Sequence, residues 1–339
     1  MDTGRSPRGR VTIREVAEAA GVSVATVSKV LNDRYGVAGA TSEKVRAVIA
    51  ELGYESSLVA RSLRNHRTNV IGILVADFEP FSTEVLKGAA DAIRGTGFEL
   101  VVYSAAGQAE ERVGWERRHL NRVSGTLVDG AVLVTPTVTD IVTSSPIVAI
   151  DPHEGPTGLP TVDSDNLKGG RLATEHLLDL GHRRIAMLTG RPDLQSSRSR
   201  EQGFREAHRA AGVPLDESLL CEGDYKPEVA AETARALLSR PDRPTAVFAA
   251  NDGTAIATIQ VAAELGLGVP GDLSVVGFDN IPEAAVRTPP LTTVEQPIRE
   301  MGQRALQLLV HLIREESVDE QHVRLPTRLV VRGSTAPLA

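Results

Sequence analysis

The sequence predicts an α/β protein in which a head of three short helices precedes two doubly wound α/β lobes. Within the first 53 residues, apolar side chains recur at helical spacing in three short runs, two of which end at a glycine. From residue 69 onward, continuous apolar runs alternate with amphipathic segments, which is typical of a parallel sheet covered by helices. The alternation restarts after Asp163 and yields too many strands for one ordinary sheet, so we expect two similar lobes.

The first two predicted helices are separated by a three-residue turn. Thr12 followed by Glu15 forms a capping box that begins the first helix, and Gly21 ends it where a left-handed residue costs least. Ser23 caps the second helix, which extends to Asn32. Two short helices joined in this way predict a helix-turn-helix, whose second helix enters the major groove of DNA. An ordinary helical hairpin within a core is the alternative.

The rest of the head contains one more helix and a linker. Thr41 caps a third helix, which ends at Leu52 before Gly53. The following segment is mostly basic and polar and too short to be helical alone, so we expect it to fold only with a partner and DNA. The predicted divisions are a disordered tail at 1–10, the helix-turn-helix domain at 11–55, a hinge helix or linker at 56–68, and an effector-binding and dimerisation domain at 69–339.

The lobes follow from the alternation of short apolar runs with amphipathic ones. Strands are predicted at 70–76, 99–103, 130–134, 146–150, 184–189, 219–222, 246–250, 273–278, 292–296 and 323–331. Helices are predicted at 82–95, 110–123, 166–180, 199–211, 227–238, 253–265 and 298–314.

Composition limits the class of protein. The chain has 339 residues, of which 41% are hydrophobic, enough to build two or three cores. It has no apolar run of the ~18 residues that a membrane helix needs, and no signal peptide is recognisable at its start. Its one cysteine, Cys221, excludes an internal disulfide framework and a cysteine metal cluster. We therefore expect a soluble cytoplasmic protein without cofactor or metal.

Charge is distributed unevenly along the chain. Residues 1–68 hold 11 Lys and Arg against 7 Asp and Glu, whereas the remainder holds 26 against 37, for a net charge of −7. A basic head on an acidic body is the charge pattern of a modular DNA-binding protein.

Several motifs, in this order and spacing, resemble the LacI/GalR family of transcriptional repressors. They are Val11–Asn32, Ala60-Arg61-Ser62-Leu63, Ala249-Ala250-Asn251-Asp252, Val275–Asn280, Pro289–Val294 and Gln296-Pro297. The resemblance implies a periplasmic-binding-protein-like body, with lobe 1 at about 69–164 and 297–321 and lobe 2 at about 165–296 and 322–339. It also implies a homodimer on a palindromic operator of double-stranded DNA, without the C-terminal tetramerisation helix of some members.

The expected DNA contacts lie in the second helix and the linker. Val24, Ala25 and Lys29 occupy the face that reads bases in the family; the first two suit thymine methyl groups and Lys29 suits guanine. The resemblance implies that Leu63 wedges into the minor groove, while the small Ala60 lets two hinge helices approach. Packing against the body is the alternative for Leu63. The full predicted set is Thr12, Ser23, Val24, Ala25, Thr26, Ser28, Lys29, Asn32, Ala60 and Leu63.

The expected effector contacts lie where strands end, because ligands of open α/β sheets bind at the carboxyl ends of strands. Polar residues that follow predicted strands are Asp77, Thr135, Asp151, Asn251 and Asp279. The resemblance adds Arg200 and Gln296 as polar contacts, and Phe81 and Tyr225 as apolar and stacking contacts. Carboxylates and a guanidinium that bind vicinal hydroxyls suit a mono- or oligosaccharide.

Other functions have less support. The chain lacks the GxGxxG, Walker and GxSxG motifs, which argues against an enzyme. A secreted solute-binding protein would share the lobes but not the N-terminal helices. A purine-like co-repressor remains an alternative effector, although aromatic residues make up only 3% of the chain. Activation rather than repression also stays open. We therefore predict a repressor of carbohydrate uptake or catabolism genes that a sugar releases from its operator.

Overall fold

A computed structural model describes residues 11–31, 35–54, 67–105, 114–138, 140–156 and 158–338. The chain divides into two compact units, residues 1–68 and 69–339. No helix in the described part is long and apolar enough to span a membrane.

The first unit packs three helices around one small core. They are α1 (Ile13–Ala20), α2 (Val24–Leu31) and α3 (Gly39–Leu52). Thr12 and Glu15 form the predicted capping box, in which the Thr12 amide donates to Glu15 Oε2 at 2.6 Å. Gly21 ends α1 with φ at 65°. The buried core side chains are Val16, Ala17, Ala20, Val27, Val30 and Val45.

The third helix begins earlier than predicted. Its N-cap is Ala38, not Thr41, and the Ala38 carbonyl accepts hydrogen bonds from the amides of Thr41 and Ser42 at 2.9 and 3.0 Å. Because alanine has no side-chain acceptor, this helix start carries none of the residue signals that mark an N-cap in a sequence.

The second unit contains two six-stranded sheets flanked by helices. The strands are β1 (Val70–Val75), β2 (Glu99–Ser104), β3 (Gly130–Val134), β4 (Ile147–Ile150), β5 (Thr161–Ser164), β6 (Ile185–Thr189), β7 (Leu220–Glu222), β8 (Ala246–Ala249), β9 (Ser274–Asp279), β10 (Thr292–Glu295), β11 (His322–Leu325) and β12 (Arg328–Val330). The helices are α4 (Pro80–Ala92), α5 (Trp115–Val123), α6 (Asn166–Asp179), α7 (Gln195–Ala210), α8 (Pro227–Leu238), α9 (Asp252–Glu264), α10 (Pro282–Val286) and α11 (Ile298–Ile313).

Each sheet is doubly wound. The strand order is β11-β5-β4-β3-β1-β2 in the first lobe and β12-β10-β9-β8-β6-β7 in the second. All named strands pair in parallel except β10 and β12, which are antiparallel. The strand β5 and the helix α10 were absent from the sequence prediction, because both are only four or five residues long.

The single strand predicted at 323–331 is two strands in different lobes, so the predicted lobe boundary at residue 322 is wrong. The strand β11 pairs in parallel with β5 of the first lobe, whereas β12 pairs antiparallel with β10 of the second. The chain changes lobes at Pro326 and Thr327, between the two strands. Since proline has no amide hydrogen to donate to a sheet, it separates the two pairings. The first lobe therefore includes 322–325.

Glycines bring helices into close contact in both lobes. A Cβ atom at Gly170 of α6 would lie 2.2 Å from the carbonyl oxygen of Arg200 in α7, and one at Gly203 would lie 2.2 Å from that of Leu167. In the first lobe, a Cβ atom at Gly88 of α4 would lie 1.9 Å from the Arg299 carbonyl oxygen, and one at Gly302 of α11 would lie 2.2 Å from that of Val85. The α6–α7 contact fixes the backbone of Arg200, whose side chain enters the site below.

Candidate ligand cavity and nucleic-acid interface

A cavity of about 400 Å³ lies in the second unit, where strands of both sheets end. The nine residues predicted to contact an effector all line it: Asp77, Phe81, Thr135, Asp151, Arg200, Tyr225, Asn251, Asp279 and Gln296. They converge because the carboxyl ends of parallel strands meet at one edge of each sheet. The structure brings this set together, and binding of a ligand by each residue remains a prediction.

Arg200 is the most constrained of the nine. Its side chain is buried, with Nε donating to Asn166 Oδ1 at 2.8 Å and Nη1 donating to the Ala250 carbonyl at 2.5 Å. Nη1 also lies 3.7 Å from Asp279 Oδ1, and the guanidinium carbon lies 3.7 Å from the centre of the Phe278 ring. This geometry holds a planar donor at the cavity wall, where it suits two-pronged recognition of neighbouring oxygens.

Asp279 and Gln296 extend this network. The Gln296 amide nitrogen donates to Asp279 Oδ1 at 2.6 Å, while its oxygen accepts from the Ser164 hydroxyl at 2.7 Å. Burial raises the pKa of Asp279 to about 7, although the positive charge of Arg200 and the hydrogen bond from Gln296 oppose that rise. The carboxyl group is therefore held in place but titrates near neutral pH.

Asn251 combines a cavity position with a structural task. Its Oδ1 accepts from the Thr254 amide at 2.9 Å as the N-cap of α9, and its Nδ2 donates to the Tyr225 carbonyl at 3.3 Å. The neighbouring Asp252 is fully buried. It accepts from the Thr293 hydroxyl at 2.5 Å and from the Ile281 amide at 2.9 Å.

Tyr225 carries an unsatisfied polar atom. Its hydroxyl is buried and has no hydrogen-bond partner in the described part of the chain. A Cβ at Gly190 would lie 2.1 Å from the Tyr225 ring, so the ring position depends on that glycine. A buried hydroxyl without a partner is costly, and a polar ligand atom in the cavity would satisfy it.

The first-lobe residues are less constrained. Asp77 is exposed, and its Oδ1 accepts from the next amide, that of Phe78, at 2.7 Å. Thr135 and Asp151 follow β3 and β4 with positive φ of 47° and 48°. Burial raises the pKa of Asp151, whereas the positive charge of Arg200 opposes the rise.

Sequence reasoning missed several further lining residues. They are Ala76, Glu79, Ala105, Trp115, Thr137, His153, Arg191, Leu194, Ser196, Asp224, Lys226 and Glu228. Glu79 precedes α4 and Glu228 lies in the first turn of α8, so both are recognisable only after these helices are placed. Trp115 belongs to a helix whose start was predicted five residues earlier. In the described residues, no group of three or more His, Cys, Asp or Glu is placed to hold a metal ion.

The second helix of the first unit presents the predicted base-reading residues to solvent. Val24, Ala25 and Lys29 are exposed on α2, opposite the buried Val27 and Val30. Val24 is 42% exposed, so its side chain is accessible to a partner.

The remaining predicted DNA contacts divide into two groups. The Ser23 hydroxyl accepts from the Thr26 amide at 3.1 Å and lies 2.9 Å from the Thr26 hydroxyl, so both residues stabilise the start of α2. Thr12 is exposed at the cap of α1, and Ser28 is half-buried. Asn32, Ala60 and Leu63 lie outside the described residues.

Comparison with protein families gives two matches. Residues 12–57 match "Bacterial regulatory proteins, lacI family", and residues 174–335 match "Periplasmic binding protein-like domain".

Individual proteins resemble almost the whole chain. The ribose operon repressor of Escherichia coli (strain K12) is 37% identical over 333 residues, covering 95% of this chain and 99% of that protein. The structure of a transcriptional regulator CelR–cellobiose complex is 35% identical, with a TM-score of 0.70 over 96% of this chain and 100% of that one. The lac repressor dimer bound to operator and the anti-inducer ONPF is 29% identical, with a TM-score of 0.83 over 97% of this chain and 100% of that one.

Proposed function

The chain belongs to the lacI family of bacterial regulatory proteins and is a DNA-binding transcriptional regulator, and we propose that a small sugar releases it from its operator. The observation that carries the sugar proposal is the cavity, in which carboxylates, a fixed guanidinium and an unpartnered tyrosine hydroxyl surround about 400 Å³. The aromatic rings of Phe81, Trp115 and Tyr225 also line it and suit the C–H face of a sugar. The names of similar proteins, which include a ribose operon repressor and a cellobiose complex, support the same class.

We further infer that the protein acts as a homodimer in the cytoplasm and has no catalytic activity. The similarity to a repressor dimer on its operator supports the dimer, and the similar proteins named above are regulators rather than enzymes. A dimer presents two copies of α2 to two half-sites, which accounts for a palindromic operator.

Release requires communication between the two units, and we propose that it passes through residues 56–68. If the two lobes of each effector-binding domain close on a ligand, the starts of the two effector-binding domains in a dimer would shift relative to each other. That shift would disturb the linkers that join them to the helix-turn-helix domains. Because coupling is reciprocal, operator binding must then change effector affinity by the same factor. Measuring effector affinity with and without operator tests this; Leu63→Ala should weaken operator binding but leave the effector affinity of the free protein unchanged.

The direct test of the proposal is gel retardation of the DNA upstream of the gene by the full-length protein, with a panel of mono- and disaccharides. We expect one sugar to abolish the shift at saturating concentration. Arg200→Ala protein should still shift the DNA but resist release, whereas the matched variant Arg209→Ala, exposed on the same helix, should behave like wild type. If folded protein shifts the DNA and no sugar releases it, the sugar proposal fails; a purine that strengthens the shift would then support a co-repressor.

A further inference from the structure

The charged residues around the cavity are mostly acidic. Six carboxylates and three cationic side chains line it in the described part of the chain. The acidic residues are Asp77, Glu79, Asp151, Asp224, Glu228 and Asp279, and the basic residues are Arg191, Arg200 and Lys226. In the first lobe, every charged lining residue in this set is acidic.

Each of the three cations already has a carboxylate beside it. Arg200 Nη1 lies 3.7 Å from Asp279, and Arg191 Nη2 lies 2.6 Å from Asp193 Oδ2. Lys226 forms an ion pair with Asp224. A phosphate group in the cavity would have to compete with these carboxylates for its counter-charge.

Carboxylates from both lobes line this one cavity. Glu79 and Asp151 come from the first lobe and Asp279 from the second, and the negative charges of Glu79 and Asp151 help to raise the pKa of Asp279. Hydroxyl donors placed among these acidic groups would be favourable, whereas another anion would be repelled by those that are ionised.

The helix ends at the cavity are unsuited to phosphate as well. Helix N-termini bind anions through free amides and the helix dipole. At this cavity, Glu79 is the N-cap of α4, Glu228 is in the first turn of α8, and Asp252 begins α9. The helix α7 has no acid in its first turn, but Asp193 precedes it by two residues. Carboxylates thus already occupy the positions where a phosphate would gain most.

We propose that the cavity selects its effector by charge, so that an unphosphorylated sugar binds and its phosphate ester is rejected by Glu79, Asp151 and Asp279. The inference rests on the proposed function, in which the effector is a sugar. It adds that the protein responds to a free sugar that no kinase has phosphorylated. Discrimination against the phosphate ester comes from carboxylates contributed by both lobes.

The experiment is isothermal titration of the full-length protein with matched pairs: D-ribose and D-ribose 5-phosphate, D-glucose and D-glucose 6-phosphate, and D-fructose and D-fructose 6-phosphate. In the pair that binds, we expect the ester to be at least ~100-fold weaker. Glu79→Gln removes one of the repelling charges and should narrow that ratio about 5-fold. Glu232→Gln, which removes an exposed carboxylate further along α8, should leave the ratio unchanged.

The outcomes separate the two proposals. An ester that binds as tightly as its parent sugar, or more tightly, overturns selection by charge but leaves a sugar-responsive regulator in place. A ratio that Glu79→Gln and Asp151→Asn both leave unchanged overturns the assignment to the first-lobe carboxylates. If no sugar of the wider panel of mono- and disaccharides binds to folded protein, the proposed function fails, and the inference fails with it.

Discussion

The two walls of the cavity are built differently. On the second-lobe wall, Arg200, Asn251 and Asp279 are held by hydrogen bonds or ion contacts to other protein groups. On the first-lobe wall, Asp77 contacts only the amide of its neighbour among the described residues, and Thr135 makes no side-chain hydrogen bond there. The second-lobe wall is therefore held by protein groups, whereas Asp77 and Thr135 leave part of the first-lobe wall open, and we expect a ligand to complete it.

The difference has an energetic consequence. Groups on the organised wall have already lost their solvation and side-chain entropy during folding, so a ligand gains their interactions at little further cost. Their substitution must also disturb the fold. Groups on the open wall remain hydrated, so their substitution should affect binding with little change in stability. Four predictions test this contrast.

The largest effect is expected for Arg200→Ala. Removing the guanidinium leaves Asn166, the Ala250 carbonyl and buried Asp279 without their partner, which should lower the free energy of unfolding by about 3–5 kcal/mol. Effector affinity should fall at least ~100-fold. Urea unfolding and titration calorimetry measure the two effects. Arg209→Ala is the control, and a stable Arg200→Ala protein with lost binding would show that the wall is not pre-organised as described.

The second effect is a pH dependence that depends on Asp279. Its folded pKa of about 7 lies above its ordinary value of 3.8 because of burial. Between these values the folded protein binds more protons than the unfolded chain. Its contribution therefore makes the free energy of unfolding fall as pH rises from about 4 to about 7, by up to about 1.4 kcal/mol per pH unit, and then level off.

The measurement is urea unfolding between pH 5 and 8 for wild type and Asp279→Asn. The free energy of unfolding of the wild type minus that of Asp279→Asn should fall as pH rises and become constant above about pH 7.5. Because both proteins share the other titratable groups, taking this difference cancels their contribution to the pH dependence. Parallel curves over this range would contradict the burial argument.

The contrast between the walls also explains what the sequence could predict. Polar residues at strand ends were identifiable because the alternation of apolar runs locates strand ends to within a residue or two. That precision is enough to place Asp151 or Asp279 at the cavity. That precision is not enough to decide which of Asn251 and Asp252 caps α9 and which is buried. Asn251 accepts from the Thr254 amide as the N-cap, whereas Asp252, one residue later, is a buried acceptor for the Ile281 amide.

Other parts of the site depend on tertiary geometry that has no local signal. Glu79, Arg191 and Ser196 reach the cavity because the loops and helix starts that follow different strands converge there. In the sequence, β11 and β12 look like one strand interrupted at Pro326, because both are short and extended. The two-lobe architecture follows from the repeated alternation, whereas the partner of each strand is set by long-range pairing.

The third prediction concerns Tyr225→Phe, which should have opposite effects on stability and binding. The hydroxyl is the one buried side-chain polar atom without a hydrogen-bond partner in the described structure. Without ligand, its removal should raise the free energy of unfolding by about 1 kcal/mol, because an unsatisfied polar atom is lost. If a ligand atom satisfies the hydroxyl, effector affinity should fall about 10-fold. Unchanged affinity would place that hydroxyl outside the ligand contacts.

The smallest effect on stability is expected for Asp77→Asn on the open wall. Asp77 is exposed, and the hydrogen bond that it accepts from the Phe78 amide, the one it makes to a described residue, can be accepted by an asparagine oxygen as well. The free energy of unfolding should therefore stay within about 0.5 kcal/mol of wild type. Effector affinity should fall about 2- to 5-fold, because a charged acceptor for a ligand hydroxyl becomes a neutral one.

Asp319→Asn provides the matched control for this last change, since Asp319 is an exposed carboxylate of the same lobe, outside the cavity. It should alter neither quantity. Suppose instead that Asp77→Asn lowers the free energy of unfolding by more than 1 kcal/mol. The first-lobe wall would then be as organised as the second, and the account in which the ligand completes that wall would have to be abandoned. A loss of affinity without loss of stability is the result that only an open wall gives.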